Sequence, residues 1–304
     1  MIDEDVRSQV FLWLRDQAVR FDYVIPRNVL EQGFEIQGTR VTLVGASGIW
    51  KPKVCDLPIS VTSIAAGPYD DEFTEEGLLR YRYRGDDPNH RDNTGLRELM
   101  RTRTPFIYFH GVMRSKYVPV WPVFVAEDMP SDLACLVAVD PAYATGLATA
   151  EDAEFGSVFG NDSSVGVRRY VAALTKRRLH QTAFREHVIT AYRHTCVLCR
   201  LQHAQLLDAA HIIPDSMPGG DPVVPNGLCM CKIHHAAYDQ NIIGVTPEYR
   251  VHVRPDILNE IDGPMLRHGL QELDGQRIVL PSKRRHYPDP GRLGVRYEQF
   301  RNAG

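Results

Sequence analysis

The chain has 304 residues, a net charge of −3, and 43% apolar and 24% charged residues. This composition is globular, and the length favours two domains with sizeable cores. No apolar run reaches the length of a membrane span, and the acidic start, MIDEDVRSQV, has no apolar signal core. We therefore expect a cytoplasmic protein with no membrane partner. Six cysteines in a chain this long do not suggest a disulfide scaffold, and clustered cysteines in a reducing compartment suggest metal.

Charge is unevenly distributed along the chain. Residues 1–160 carry 16 Lys+Arg and 24 Asp+Glu, and the remainder carries 19 and 14, which gives −8 and +5. Within the acidic half, residues 80–116 hold nine basic residues against four acidic ones. This local excess is typical of a surface that follows a phosphate backbone. The alternative is a solvated basic face, and charge alone favours that alternative.

In chain order, the first predicted elements are a helix and several strands. Residues 4–19 are predicted to be helical because apolar residues recur at helical spacing: Val6, Val10, Phe11, Leu14 and Ala18. The segment RVTLVG at 40–45 alternates and is β-branched, which predicts a strand. The region 58–140 adds strand-like runs separated by turn residues: ISVTSI, LLRYRYRG, PFIYFHGV, YVPVWPVFV and LACLVAV.

Few helices interrupt this β-rich region, which predicts a mostly-β barrel or sandwich. The exception is DNTGLRELMRT at 92–102, which Asp92 or Asn93 would cap. Residues 1–150 are therefore expected to form one domain, followed by a small, polar linker at 151–166. The second domain, 167–304, is predicted to begin with a long basic helix to about 193 and to end in weak strands. The fold class is α+β.

Cysteine and histidine cluster in the second domain. Cys196-x-x-Cys199 precedes Cys231-x-x-His234, and two such pairs are the ligand pattern of a tetrahedral structural zinc site. A redox CxxC would open a helix after a strand, whereas this one follows a helix. Burial of the cysteines as small apolar residues is the other alternative. Cys229 lacks the x-x-His spacing and is predicted to be buried.

The segments DAAHIIP and NGLCMCKIHHAAYD, framed by these pairs, resemble the HNH nuclease (ββα-metal) motif. The resemblance implies that His211 activates water, that Asn226 braces the hairpin, and that His235 helps to bind a divalent cation. His235 and Asp239 are four residues apart, so one helix face can present both to an ion. A satisfied core histidine is the alternative for His211. The resemblance further implies Mg²⁺, Mn²⁺ or a similar ion as catalytic cofactor.

One position departs from the HNH pattern. The residue before the base is often a metal ligand in that family, but here it is Ala210. Asp208 is two residues earlier on the same strand face, so it is a candidate for the missing ligand. Whether Asp208 takes this role is left open by the sequence.

The first domain contains, within roughly residues 40–140, the segments GPYDDEFTEEGLLRYRYRG, DNTGLRELM, TPFIYFHGV and KYVPVWPVFV, in this order. This order resembles that of the SRA (YDG) family of modified-base readers, which implies a PUA-like barrel. The resemblance implies a pocket for a flipped cytosine. Tyr69 and Tyr83 are its aromatic candidates, and Asp71, with Asp70 as the second choice, is the acceptor for the amine. The alternative for these residues is an ordinary turn and strand surface.

Taken together, the two domains resemble the SRA–HNH class of modification-dependent restriction endonucleases. They imply cleavage of double-stranded DNA that carries 5-methylcytosine or 5-hydroxymethylcytosine. Two alternatives remain: an HNH nuclease whose first domain senses something else, and a zinc-stabilised DNA-binding module without cleavage. Dimerisation is a further hypothesis, because one HNH site cuts one strand and a double-strand break needs two sites.

Overall fold

A computed structural model describes residues 3–63, 74–139 and 164–303, with only the backbone described over 164–170. The chain divides into two compact units, Met1–Thr182 and Ala183–Gly304. The division falls inside a long helix, and most of the expected linker at 151–166 lies outside the described residues. Within the described ranges, no helix combines the length and apolar character needed to cross a bilayer.

The first unit begins with the predicted helix, α1 (Asp3–Arg20). Four of its five predicted apolar residues, Val6, Val10, Leu14 and Ala18, are buried and Phe11 is half-buried, which confirms the predicted periodicity. Arg7 is buried on the same helix, with 3% of its side chain exposed. Its guanidinium donates to the backbone oxygens of Leu57, Pro58 and Pro105, each at 3.0 Å, and its Nε lies 2.5 Å from Asp3. A buried guanidinium needs such partners because unpaired burial of its charge is costly.

The region 58–139 is mostly β in the residues that the structure describes, as predicted. All five strand-like runs of 58–140 contribute strands to one seven-stranded sheet. The strands of this sheet are β1 (Ile25–Pro26), β4 (Ile49–Trp50), β5 (Ser60–Thr62), β6 (Leu79–Arg82), β7 (Phe106–Met113), β8 (Lys116–Met129) and β9 (Ala134–Val139). Their order is β4-β5-β7-β8-β9-β6, and β1 pairs with β8. Among the described strands of this sheet, β5 and β7 are the one parallel pair.

The predicted strand at 40–45 is wrong in extent. Only its beginning is a strand, β3 (Thr39–Val41), which pairs with β2 (Phe34–Ile36) in a separate hairpin. The chain then leaves this ladder because the Leu43 amide donates to the carbonyl of Leu30, at 2.9 Å. Leu30 belongs to a short helix, α2 (Arg27–Gln32), that the sequence analysis did not predict.

The helix predicted at 92–102 is confirmed as α3 (Arg91–Thr102), but its predicted cap is wrong. His90 is the N-cap and accepts from the Asp92 amide through its side chain. Asn93 is fully buried and bonds to both backbone groups of Arg84 and to the carbonyl of Asp87, at 2.8–3.1 Å. The asparagine therefore holds the turn that follows β6 against α3.

The second unit begins within α4 (Ser164–Ala191), whose predicted span was 167–193. An antiparallel hairpin, β10 (Leu207–His211) and β11 (Gly227–Cys231), leads directly into α5 (Lys232–Asp239). This is the expected ββα arrangement, and it confirms the α+β class. Phe184 and Val188 of α4 pack over Gly227, where a Cβ would lie 2.4 Å from Val188 and 2.9 Å from Phe184. The helix can approach the hairpin this closely because residue 227 is glycine.

The tail is more helical than predicted. GVTPEYRVHV forms a hairpin, β12 (Ile243–Val245) and β13 (Val251–Val253), but GQRIVLP forms no strand and makes only an isolated bridge between Arg250 and Arg277. The tail helices are α6 (Pro255–Leu258), α7 (Pro264–Gly269) and α8 (Pro290–Asn302). The sequence carried a signal for α8, because Asp289 caps it and Pro290 occupies its first turn.

Candidate functional site

The four predicted zinc ligands converge. The ligand atoms of Cys196, Cys199, Cys231 and His234 all lie within 4.8 Å of one another. Cys196 and Cys199 lie in the loop after α4, whereas Cys231 and His234 belong to the end of β11 and the first turn of α5. Sγ of Cys231 lies 3.1 Å from Nδ1 of His234 and 4.0 Å from Sγ of Cys199. These separations suit adjacent ligands of one tetrahedral ion, so the cluster can hold a metal.

The histidine of this cluster is oriented by the tail. Nε2 of His234 donates to the carbonyl of Gly269, at the end of α7, across 2.7 Å. This bond places the proton on Nε2, so the Nδ1 lone pair faces the three thiols. Hydrogen bonds within the cluster, chiefly from Cys199, hold the pKa of the Cys196 thiol well below its ordinary value. The thiolate is the form that binds metal.

Cys229 lies apart from this cluster. It is fully buried on β11, as predicted, and burial raises its pKa to about 12. A neutral, buried thiol of this kind packs as a small apolar residue. The metal-binding interpretation therefore applies to Cys196, Cys199, Cys231 and His234 and excludes Cys229.

His211 ends β10 and pairs in register with Gly227. Its ring stacks on the ring of Phe184, with 4.0 Å between centroids and 19° between planes. Its Nε2 atom is buried and has no hydrogen-bond partner within the described part of the chain. Burial lowers the pKa of His211; His235 acts in the same direction, and the carboxylates of Asp215, Asp208 and Asp239 oppose it. The imidazole is therefore neutral at pH 7 and can accept a proton.

Asn226 is completely buried just before β11. Its Oδ1 accepts from the Ile213 amide at 2.9 Å, and its Nδ2 donates to the carbonyls of Ile213 and Asp221 at 3.0 and 3.1 Å. The side chain thus ties together the two ends of the loop between the hairpin strands. Because this loop follows His211 directly, Asn226 fixes where the histidine sits.

The ring of His235 lies between two carboxylates. Its Nδ1 is 3.3 Å from Oδ2 of Asp208, and its Nε2 is 3.3 Å from Oδ2 of Asp239. Burial opposes protonation of His235, but the two carboxylates outweigh burial and raise its pKa. The structure therefore brings the three predicted cation ligands together, but Asp208 and Asp239 face opposite ring nitrogens.

Asp208 has a further partner that the sequence analysis missed. Nε of Arg185, on α4, lies 3.3 Å from Oδ1 of Asp208, and Nη2 donates to the Leu207 carbonyl at 2.9 Å. Burial raises the pKa of Asp208, yet its contact with His235, the hydrogen bond from the Ala209 amide and the charge of Arg185 together outweigh burial and lower it. Asp208 is consequently ionised and engaged on both oxygens.

Arg296 of α8 is another unpredicted residue of the site. It is buried, it stacks over the Tyr238 ring at 4.7 Å, and it donates to the Tyr238 carbonyl at 2.5 Å and to Asn241. It therefore secures the C-terminal end of α5, the helix that carries His235 and Asp239. No sequence motif identifies Arg296 as a residue of the site. Leu293, Arg296 and Phe300 stand at i, i+3 and i+7, however, and this spacing predicts that all three face inward on the helix.

The base-pocket candidates are mostly outside the described residues. Tyr69, Asp70 and Asp71 fall in the range 64–73, and their pocket role stays a prediction. Tyr83 is described: it is 7% exposed, and its hydroxyl donates to Asp128 of β8. Nε of Arg97, on α3, donates to the other oxygen of Asp128 at 2.8 Å. Tyr83 is thus held by a polar cluster within the first unit.

With this geometry in place, comparison with known families decides the class of the second unit. Residues 196–246 match the family model of HNH endonucleases. These residues form an HNH endonuclease domain. The match begins at the first zinc-type cysteine and ends with β12, so it includes His211, Asn226, His235 and Asp239. The HNH prediction is thereby confirmed, and the second unit is of nuclease type.

Two solved structures are similar to larger parts of the chain. The match to the structure titled "Modification dependent TagI restriction endonuclease" covers 80% of this chain and 81% of that chain, with 16% identity and a TM-score of 0.33. The match to the structure titled "Crystal structure of SUVH5 SRA- methylated CHH DNA complex" covers 37% of this chain and 88% of that chain, with 18% identity and a TM-score of 0.24. None of the curated proteins matches the chain significantly. With TM-scores this low, neither similarity supports an assignment of function to this chain.

Proposed function

We propose that this chain is a modification-dependent DNA endonuclease, with the HNH domain as its cutting unit. The observation that carries the proposal is the position of His211 on a ββα hairpin, next to His235 and Asp239 and within the segment that matches HNH endonucleases. The substrate is duplex DNA, and the reaction is hydrolysis of a phosphodiester bond.

His211 is proposed as the general base. Its neutral imidazole takes a proton from water as the water oxygen bonds to phosphorus and the bond to the leaving oxygen breaks. Phe184 supports one face of the ring, and Asn226 holds the following loop, so the imidazole is fixed before substrate arrives. Positioned proton transfer of this kind typically contributes about 10²–10⁴-fold to a rate.

His235 Nε2 and Asp239 Oδ2 are proposed to hold the catalytic cation, Mg²⁺, Mn²⁺ or a similar ion. Their 3.3 Å separation suits two neighbouring ligands, and water and substrate phosphate would complete the set. Such an ion polarises the phosphate and neutralises the leaving oxygen. Asp208 was a candidate ligand on sequence grounds. Because it contacts Nδ1, we assign it instead to orient His235 for the ion, as carboxylates do for metal-bound histidines.

The cluster of Cys196, Cys199, Cys231 and His234 is proposed to hold structural zinc. Three thiols and one imidazole are the donor types zinc prefers, and no fifth position is needed for substrate. The zinc would join the loop after α4 to the junction of β11 and α5. That junction sets the start of the helix carrying His235.

Substrate choice is assigned to the first unit, which would flip 5-methylcytosine or 5-hydroxymethylcytosine into a pocket. The order of the SRA-like motifs supports this assignment. Asn93 lies in one of these motifs and has a structural role there, because its side chain holds the turn after β6. Tyr69, Asp71 or Asp70, and Tyr83 are the proposed pocket residues. We further propose that the protein acts as a dimer when it breaks both strands, which sedimentation of the free and DNA-bound protein tests.

One observation favours a second candidate, an HNH nuclease whose first unit senses another feature. Tyr83 is buried and its hydroxyl is already bonded to Asp128, so its ring offers little surface for a base. The third reading, a zinc-stabilised binding module without cleavage, leaves the neutral His211 without a role.

The cutting function is tested by incubating supercoiled plasmid carrying modified cytosine with the protein and Mg²⁺ or Mn²⁺. Nicked or linear product should form with the wild type and disappear with His211→Ala. Tight binding by both proteins without any product would replace the nuclease proposal with the binding-module reading.

A further inference from the structure

A cationic segment lies beyond the part of the chain that matches HNH endonucleases. Lys283, Arg284 and Arg285 are consecutive and exposed, whereas the family match ends at residue 246. None of the three forms an ion pair with any residue that the structure describes. Burial and the charges of Arg285 and Lys283 lower the pKa of the adjacent His286, as expected where cations are close and unneutralised.

The segment is held rigidly by its neighbours. Pro281 and Pro288, on either side, are buried, and Arg284–His286 forms a short 3-10 helix. Tyr249 donates to the Pro288 carbonyl at 3.2 Å, and its ring meets that of Tyr287 edge-on at 6.2 Å. A fixed surface loses less conformational entropy on binding than a flexible basic tail does.

The same segment is attached to the turn that carries Asn226. The Arg284–His286 helix packs against Val224–Asn226, and the Asp289 amide donates to the Pro225 carbonyl at 2.9 Å. Gly227, the next residue of that turn, pairs with His211. The cations are therefore anchored one short turn away from the proposed base.

Nearby acids do not cancel this charge. Asp221 faces the Arg292 guanidinium, with 3.0 Å between Oδ2 and Nη2. Asp289 caps α8 by accepting from the Arg292 amide at 2.8 Å. Both carboxylates therefore interact with Arg292 of α8, and the three cations remain available to bind an anion.

We propose that Lys283, Arg284 and Arg285 bind the phosphodiester backbone of the duplex beside the bond that is cut. This inference rests on the proposed function, which it deepens by naming a backbone-contact surface. Contacts of this kind position DNA without reading its sequence, so the segment should act equally on modified and unmodified duplexes. A purely solvated basic patch is the competing explanation.

The test is the salt dependence of DNA binding. The full chain carrying His211→Ala is compared with the same protein carrying Lys283→Gln, Arg284→Gln and Arg285→Gln, using 5-methylated and unmodified duplexes. Each phosphate contact contributes about 0.9 to the slope of log Kd against log salt, so three contacts should lower the slope by about 2 to 3. Affinity for both duplexes should fall by the same factor, at least about tenfold at moderate salt.

The matched control removes three exposed charges elsewhere in the same unit: Arg250→Gln, Arg277→Gln and Arg301→Gln. It should leave the slope unchanged, whereas Arg284→Lys with Arg285→Lys, which keeps both charges, should retain most of the binding. If the two triple variants bind alike while the wild type binds and cuts DNA, the backbone surface is refuted and the nuclease stands. If the parent protein binds no duplex, both proposals fail.

Discussion

The ring of Phe184 lies flat on the ring of His211, with 4.0 Å between centroids. Phe184 is 2% exposed, so it shields one face of the imidazole from water. Burial is the largest influence on the pKa of His211 and lowers it, which keeps the base neutral down to a lower pH. We predict that Phe184→Leu raises this pKa towards its ordinary value.

The expected result is a shift in the pH profile of cleavage. The acid limb of the kcat/KM profile should move to higher pH in Phe184→Leu, so activity falls more at pH 6 than at pH 8. Val188→Ala is the control, because Val188 also packs on Gly227 but offers no ring to stack on His211. An unchanged acid limb, or the same shift in both variants, would argue against His211 as the titrating base.

Asp208 is predicted to act through His235. Asp208→Ala should weaken Mn²⁺ binding by about 10–100-fold, the usual effect of removing a residue that orients a metal ligand. Asp208→Asn keeps an acceptor oxygen for Nδ1 and should lose much less, whereas Asp239→Asn should lose more. Calorimetric titration of the DNA-free protein measures all three, with the exposed Asp262→Asn as control. An equal loss in Asp208→Asn and Asp239→Asn would instead make Asp208 a direct ligand.

The cysteine cluster is predicted to bind one zinc ion per chain. Cys199→Ser should remove the metal and lower the thermal stability of the second unit, since metal binding is coupled to folding at such sites. Cys229→Ala should keep its zinc because Cys229 is buried outside the cluster. Metal analysis and thermal unfolding of the two variants provide the measurement. Full zinc content in Cys199→Ser would contradict the ligand assignment.

Asn226 is predicted to stabilise the fold rather than to take part in chemistry. Asn226→Ala leaves one backbone amide and two carbonyls without the side-chain partner, at a cost of about 1–3 kcal/mol for each group that stays buried and unpaired. Urea unfolding should therefore show a loss of at least about 2 kcal/mol. Asn259→Ala, an exposed change, should be nearly neutral. Wild-type stability in Asn226→Ala would mean that the loop does not depend on this side chain.

Much of the site could be predicted from local spacing. Cys196-x-x-Cys199, Cys231-x-x-His234 and the i, i+4 pair His235 and Asp239 are set by the geometry of a turn and a helix, so their proximity follows from the sequence. The strands of the first unit were likewise visible, because alternation and turn residues delimit them.

Other features depend on contacts between distant parts of the chain. Gly269 orients His234 from 35 residues away, and Arg296 reaches the end of α5 from α8. No periodicity encodes such pairings, which arise when separate elements pack. The capping of α3 was missed for a local reason: His90 accepts from the Asp92 amide, a role that the sequence analysis assigned to Asp92 or Asn93.

Cleavage of two matched duplexes, one unmodified and one fully 5-methylated at cytosine, tests the proposed modification-dependent nuclease most directly. Wild type and His211→Ala are run in parallel with Mg²⁺ or Mn²⁺. We predict that the wild type cuts only the methylated duplex and that the variant cuts neither. Equal cutting of both duplexes would contradict modified-base recognition, and undiminished cutting by His211→Ala would contradict the assigned base.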